Sequence, residues 1–130
     1  MTKREPVKSA VKKNVNETSK KEIPNDDFES VNEVHLIGRV SATPVEREMP
    51  SGDKVVEFRL IIGRPSSRGS KREVDTLDIA AWSAKSRRSA LGLKAGIWVE
   101  VDGAVRRRFW QAPTGLASRW QVEAHTLTRL

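Results

Sequence analysis

The stretch that decides the fold is Lys54–Ile62, which reads KVVEFRLII. Its apolar residues recur at every second position, and successive side chains of a β-strand point to opposite faces of a sheet. The pattern therefore predicts a strand with one face against a core. That face carries Val56, Phe58, Leu60 and Ile62, and the other carries Val55, Glu57, Arg59 and Ile61.

Four more strands and a short helix are predicted on either side of this stretch. The strands span Asn32–Val40, Val74–Trp82, Ile97–Trp110 and Arg119–Leu130, and the helix spans Ser83–Leu93, with Ser83 as its N-cap and Gly96 closing it. Turn-forming or polar residues separate these elements at Ala42–Pro44, Pro50–Asp53, Gly63–Glu73 and Gln111–Ser118. Gly103 interrupts the fourth strand, as is typical of a bend at a barrel corner. The order β-β-β-α-β-β predicts an all-β fold, a small closed barrel of five strands with one short helix between strands 3 and 4.

The first 31 residues differ in composition from the rest of the 130-residue chain. Seven basic and two acidic residues lie between Lys3 and Lys21, and then four acidic residues follow with no basic residue among them. So little apolar surface cannot form a core, so residues 1–31 are expected to be a disordered arm and residues 32–130 the folded domain. The arm would be either a non-specific polyanion-binding tail or a solubilising leader.

Composition narrows the class of partner. The net charge of +7 favours polyanions, which include nucleic acid and acidic membrane surfaces. The absence of cysteine excludes disulfides, thiolate metal sites and a cysteine nucleophile. No apolar run approaches the roughly 18 residues of a membrane span, and the basic N-terminus lacks the apolar segment of a secretory signal. A cytoplasmic protein that does not enter membranes is therefore expected.

The sequence contains little that would form an active site. The two histidines, His35 and His125, have no metal-binding spacing, and no phosphate-binding or nucleophile motif is present. Four acidic residues would resemble a nuclease site if they gathered, although alternating charges on solvated strands are the commoner explanation; they are Asp75, Asp78, Glu100 and Asp102. We expect no catalysis, no cofactor, no metal and no small-molecule substrate.

Strand alternation places aromatic and basic side chains together on the outside of the barrel. In strand 3 the core positions are Leu77, Ile79 and Ala81, and in strand 4 they are Val99, Val101 and Val105. The intervening positions then turn Trp82, Trp110, Arg106 and Arg108 outward. Aromatic rings that stack bases, beside arginines that contact phosphates, are the usual means of binding single-stranded nucleic acid.

Other roles for the four tryptophans remain open. Trp82 and Trp110 would alternatively cover a subunit interface or cap the end of the barrel. Trp98 is better explained by an interface or by packing, and Trp120 stays unassigned because it could enter the core.

The polar loop between strands 2 and 3 is a second basic region. It carries Arg64, Arg68, Lys71 and Arg72, which we predict to contact DNA, although a solvated hairpin tip is the alternative. The basic residues on the predicted helix and just after it are interpreted as a solvated face; they are Lys85, Arg87, Arg88 and Lys94.

With the strands placed, the sequence resembles the bacterial single-stranded DNA-binding protein (SSB) family. The matching residues run in order through about 100 residues. They are Val31, Asn32, Val34, Leu36, Gly38, Pro44, Arg47–Gly52, Phe58–Leu60, Ala81, Trp82, Leu93–Gly96, Val99–Gly103 and Arg106–Trp110.

This resemblance implies an OB fold, a homo-oligomer (a tetramer or a dimer) and binding of single-stranded DNA in replication, repair or recombination, with association with the nucleoid. It implies that Trp110 and Trp82 stack bases. Two aromatics typical of the family are missing, near Ser66 and at Thr76, and Asp78 adds a negative charge to the expected binding face. We therefore expect more reliance on the arginines and lysine named above.

The chain also stops without the acidic, phenylalanine-ended tip of family members that recruit other enzymes. A short accessory form is therefore expected rather than the housekeeping protein. Two other functions stay open, namely a primosome-like OB adaptor that binds protein partners and an RNA-binding OB module.

Overall fold

Six strands and one helix make up the part of the chain that the computed structural model describes, which is residues 28–65 and 73–130. The strands are β1 Val34–Val40, β2 Val45–Glu48, β3 Lys54–Gly63, β4 Val74–Ala81, β5 Trp98–Ala112 and β6 Gly115–Arg129, and the helix is α1 Ala84–Leu91. These elements belong to one compact unit, Glu33–Leu130. The predicted arm, apart from its last few residues, and the predicted DNA contacts Arg68, Lys71 and Arg72 lie outside the described residues.

The strands form one sheet in the order β1-β5-β6-β4-β3-β2. The sheet closes into a ring because Arg39 and Val40 of β1 also pair with Ile61 and Leu60 of β3. All pairs are antiparallel except β4 with β6. This is the OB barrel that the resemblance implied, with the helix between β4 and β5. The described residues include no helix with the length and apolar character needed to cross a bilayer.

The barrel interior contains most of the residues that strand alternation predicted for the core. Val55 and Ala80, which the alternation put on the other face, are nevertheless buried as well. The core cluster contains Val40, Val56, Phe58, Leu60, Ile79, Ala81, Ala90, Leu93, Val99, Val101, Val122 and Ala124. Burial of one Val, Leu, Ile or Phe side chain stabilises a fold by about 1.5–3 kcal/mol, so this cluster is the main source of stability. Val105, predicted to be in the core, is instead 37% exposed, because β5 extends beyond the barrel at this point.

The structure adds one strand to those predicted and shortens the predicted helix. A short strand, β2, lies between the two predicted turns and pairs with β3, as a continuation of β1 after the break at 41–44. The helix ends at Leu91, because the N–H of Leu93 turns back to the Ala90 carbonyl and its side chain enters the core. Ser83 is the N-cap as predicted, and its hydroxyl accepts the Ser86 N–H at 3.1 Å.

Gly103 marks an irregularity in the ladder between β5 and β6. Asp102 pairs with Thr126 but Gly103 pairs with Ala124, so the extra residue, His125, lies in β6. A Cβ atom at Gly103 would lie 1.9 Å from the carbonyl oxygen of Glu123. The predicted bend therefore requires glycine, and the alternation of buried and exposed residues along β5 stops there, with Ala104 buried and Val105 exposed.

The predicted loop at Gln111–Ser118 is strand for most of its length. Trp110 pairs with Ala117 and Ala112 with Gly115, which leaves only a two-residue connection that begins with Pro113. Proline presets the backbone angle of the first central turn position, so this short reversal is favoured. The result is a two-stranded arm, residues 105–121, that extends past the last residues paired with β1 and β4. We call it the β5–β6 arm.

Candidate nucleic-acid interface

A groove of about 720 Å³ lies against the β5–β6 arm. Three of the predicted contact residues, Trp82, Arg108 and Trp110, line it. Other parts of its wall come from β2, from the connection between β2 and β3 and from β6, and include Arg47, Met49, Pro50, Arg119 and Gln121. Residues far apart in the sequence are thus assembled at one end of the barrel.

The contact between Trp82 and Arg108 is the central feature of the groove. The Cζ atom of Arg108 lies 4.1 Å from the centroid of the Trp82 ring, well within the range of a cation–π interaction. Trp82 is half-buried, and its carbonyl accepts a 2.6 Å hydrogen bond from Nη1 of Arg87 on the helix. This anchoring fixes the backbone of Trp82 while one side of its indole meets the groove.

Trp110 is the more accessible of the two indoles. Its cross-strand neighbour in the β5–β6 arm is Ala117, and 47% of the Trp110 surface is exposed. A small cross-strand neighbour leaves the flat face of the ring uncovered. An uncovered indole beside a guanidinium is a suitable stacking platform for a base.

The charges on the groove wall are largely paired with one another. Oε1 of Glu57 accepts from Arg47 at 2.9 Å, and its other oxygen accepts from the Gln121 amide at 3.0 Å. The resemblance put the negative charge of Asp78 on the expected binding face. In the structure Asp78 pairs with Arg59 at 3.1 Å and with Arg119 at 3.7 Å. Arg108, in contrast, has no carboxylate partner among the described residues, so its charge is the least neutralised in the groove.

Two predicted arginines lie elsewhere. Arg64 donates to Asp75 at 2.8 Å and to Glu73 at 3.3 Å, and it borders a separate groove of about 470 Å³ that Trp98 also lines. Its hydrogen bond with Asp75 raises the pKa of Arg64 and lowers the pKa of the Asp75 carboxyl. Arg106 pairs with Glu123 at 2.8 Å and does not line the main groove.

The four acidic residues considered as a catalytic cluster are separated. Asp75 and Asp78 lie on β4, Glu100 and Asp102 lie on β5, and β6 runs between these strands. Glu100 instead meets His35, with 2.5 Å between their side-chain atoms, and this hydrogen bond raises the pKa of the imidazole. A carboxylate oxygen of Asp102 also lies within 4.8 Å of this pair. The hydrogen bond between His35 and Glu100 already explains why these side chains are close, so we assign no metal to the three residues.

Sequence reasoning missed part of this interface. Arg47, Met49 and Pro50 border the groove although they appeared only as matches to the family, and that match was the available signal. Trp120, left unassigned, is 59% exposed and does not border the groove. Arg107 contacts both its ring and the ring of Phe109, and Phe109 does border the groove.

Known proteins share both the sequence pattern and the fold. The model of the single-strand binding protein family matches residues 31–130. The chain is 31% identical over 86 residues to the single-stranded DNA-binding protein of Oceanobacillus iheyensis, covering 65% of this chain and 53% of that protein. It is 30% identical to single-stranded DNA-binding protein A of Bacillus subtilis, covering 65% and 50%. The chain therefore spans about half the length of these curated relatives.

A solved structure supports the fold. The Plasmodium falciparum SSB in complex with ssDNA superposes with a TM-score of 0.64 at 22% identity, covering 80% of this chain and 98% of that one. With the family model matching 100 of 130 residues, from 31 to 130, the chain belongs to the single-strand binding protein family.

Proposed function

We propose that this chain binds single-stranded DNA without sequence preference, through the groove beside the β5–β6 arm. The observation that supports this most directly is the convergence of Trp82, Arg108 and Trp110 in one open groove. Each base stacked on an aromatic ring contributes about 1–3 kcal/mol to binding, and a guanidinium adds a phosphate contact or a cation–π contact.

Arg108 occupies the place above Trp82 that a base would take. A flat cation on the ring excludes water from it and keeps the indole in a fixed orientation. In the proposed mechanism a base replaces the guanidinium over Trp82, and Arg108 turns to the adjoining phosphate. Trp110 needs no such exchange because almost half of its surface is already exposed.

The lack of sequence preference follows from what the groove offers to a base. Every base has a π-face, whereas sequence readout needs free hydrogen-bonding groups directed at base edges. In this groove the Glu57 carboxylate is engaged by Arg47 and Gln121, so the groups that would read an edge bind one another.

The biological setting that suits such a binder is replication, repair or recombination, where unpaired strands are exposed. Self-association also forms part of the proposal. Ile37 on β1 is 45% exposed and Trp98 on β5 is 51% exposed. From Val34 to Gly38, β1 pairs only with β5 among the described residues, so its other edge is unpaired there. A second copy that covers this surface would make a dimer or a larger homo-oligomer.

The direct test is a fluorescence titration of the whole chain with oligo-dT at low salt. Stacking of bases on the indole rings predicts quenching of tryptophan emission. Phosphate contacts predict a slope of log affinity against log salt of about −0.7 per phosphate neutralised. Matched duplex DNA and oligo-U serve as competitors. Preference for oligo-U would favour an RNA-binding module, and absence of binding to any strand would favour a protein-binding adaptor and overturn the proposal.

A further inference from the structure

The β5–β6 arm has a second aromatic face on the side opposite the groove. Cross-strand pairing of Arg107 with Trp120 and of Phe109 with Ser118 puts these four side chains together, and we call them the reverse face. Phe109 also borders the groove, whereas Arg107, Ser118 and Trp120 do not. Phe109 is 56% exposed and Trp120 is 59% exposed. Two large rings with that much accessible surface on one small ribbon require a partner or a ligand to explain them.

Arg107 lies between the two rings. Its Cζ atom is 5.1 Å from the Phe109 centroid and 5.3 Å from the Trp120 centroid. Its Nε and Nη2 atoms donate to the Ser118 hydroxyl at 3.2 and 3.0 Å. A hydroxyl positions the guanidinium without neutralising it, and among the described residues no carboxylate pairs with Arg107.

The reverse face therefore shares two components with the groove, namely an indole and a guanidinium that has no carboxylate partner among the described residues. We propose that the reverse face is a second stacking site for single-stranded DNA, so that one strand contacts both faces of the β5–β6 arm. This inference rests on the proposed function. Charge complementarity favours a nucleic acid over a protein here, because the side chains on this face of the ladder from Val105 to Leu116 include a cation and no acid.

The shape of the arm permits this path. After Gly103, β5 pairs only with β6 among the described residues. Before Val122, β6 likewise pairs only with β5. Neighbouring strands are about 4.8 Å apart, so the arm is a narrow ribbon and a few nucleotides are enough to pass around its edge. A longer strand would then gain contacts that a short one cannot reach.

Photocrosslinking would locate the two contacts separately. Trypsin places each tryptophan in its own peptide, residues 73–85 for Trp82, 95–106 for Trp98, 109–119 for Trp110 and 120–129 for Trp120. An oligonucleotide of about 16 nucleotides containing 5-iodouracil, within the range that one OB fold binds, is crosslinked to the whole chain and the peptides are mapped. We expect adducts on 120–129 as well as on 73–85 and 109–119.

Adducts on 73–85 and 109–119 without any on 120–129 would overturn the second site and leave the proposed function intact. No adduct on any of the four peptides, together with no binding, would remove the proposed function as well.

Affinity measured with two oligonucleotide lengths gives an independent result. Trp120→Ala should weaken binding of an oligo-dT of about 16 nucleotides roughly tenfold, while an oligo-dT of about 5 nucleotides, held in the groove, loses less than about twofold. Trp120→Phe should recover most of the loss, because a phenyl ring still stacks a base. Equal weakening at both lengths would show that Trp120→Ala acts on the groove itself. A fall in oligomer mass with Trp120→Ala would show a protein interface. Either result would contradict the proposal.

Discussion

The guanidinium of Arg108 lies over the indole ring of Trp82, with its Cζ atom 4.1 Å from the ring centroid. Trp82 directly follows β4 and Arg108 lies on β5, and β6 lies between these two strands in the sheet. Their contact exists only because the β5–β6 arm extends past the end of the barrel. The groove is thus a product of barrel closure and of arm length together.

Removing the exposed indole should weaken DNA binding. We expect Trp110→Ala to reduce affinity for oligo-dT by a factor between about 5 and 150, the value of one stacked base, as measured by fluorescence anisotropy of a labelled oligonucleotide. Leu91→Ala, which truncates an apolar side chain 48% exposed on the helix, is the matched control and should bind normally. Unchanged affinity in Trp110→Ala would contradict stacking on this residue.

Arg108 should account for part of the salt dependence. Arg108→Gln is expected to make the slope of log affinity against log salt less steep by about 0.7, since one phosphate contact is lost. Arg88→Gln removes the same charge from the last turn of the helix, outside the groove, and serves as the control. If both variants changed the slope equally, the effect would be one of net charge and not of the groove.

Neutralising Asp78 should strengthen binding. Its carboxylate pairs with Arg59 and Arg119, and Arg119 lines the groove, so Asp78→Asn would release these cations for phosphate. Exposed ion pairs contribute up to about 1 kcal/mol, which corresponds to a gain of about two- to fivefold at low salt. Asp102→Asn changes the net charge equally and should leave the affinity nearly unchanged. A loss of affinity in Asp78→Asn would mean that Asp78 positions the arginines rather than competing for them.

Gly103 should be indispensable for the barrel. An added Cβ would lie 1.9 Å from the Glu123 carbonyl oxygen, so Gly103→Ala forces the two strands apart and should destabilise the fold by on the order of 3 kcal/mol. Gly63→Ala is the control, because nothing lies within 4 Å of its added Cβ. Denaturant unfolding measures both, and equal stability of the two variants would show that the close approach at Gly103 does not exist.

The His35–Glu100 pair should make stability depend on pH. The hydrogen bond that the Glu100 carboxylate accepts from His35 raises the pKa of His35 above its usual value of about 6.5. The stabilisation is then complete below the unfolded-state pKa and is lost as pH rises through the higher folded-state pKa. An NMR titration of His35, with the signal assigned in His125→Gln, should show a midpoint above 6.5 that falls in Glu100→Gln. A wild-type midpoint at or below 6.5 would contradict the pair.

The alternation of apolar residues was sufficient to predict the core strands and the outward direction of Trp82, Trp110 and Arg108. It predicted Gly103 as the irregular point as well. Sequence periodicity did not reveal that strand pairing continues through Gln111–Ser118, because turn-forming residues such as Pro113 and Gly115 suggest a loop wherever they occur. The prediction of a long loop therefore hid the β5–β6 arm.

The residue sequence by itself determined most of the residues that enter the core, because a two-residue period is a local property of the strand. It determined the overall positive charge and the family. Which arginines keep an uncompensated charge was decided only in the folded chain: Arg64 and Arg106 meet carboxylates from neighbouring strands, whereas Arg107 and Arg108 meet aromatic rings. Ion pairing depends on cross-strand register and on the bulge at His125, and these are set by closure of the barrel and not by any local pattern.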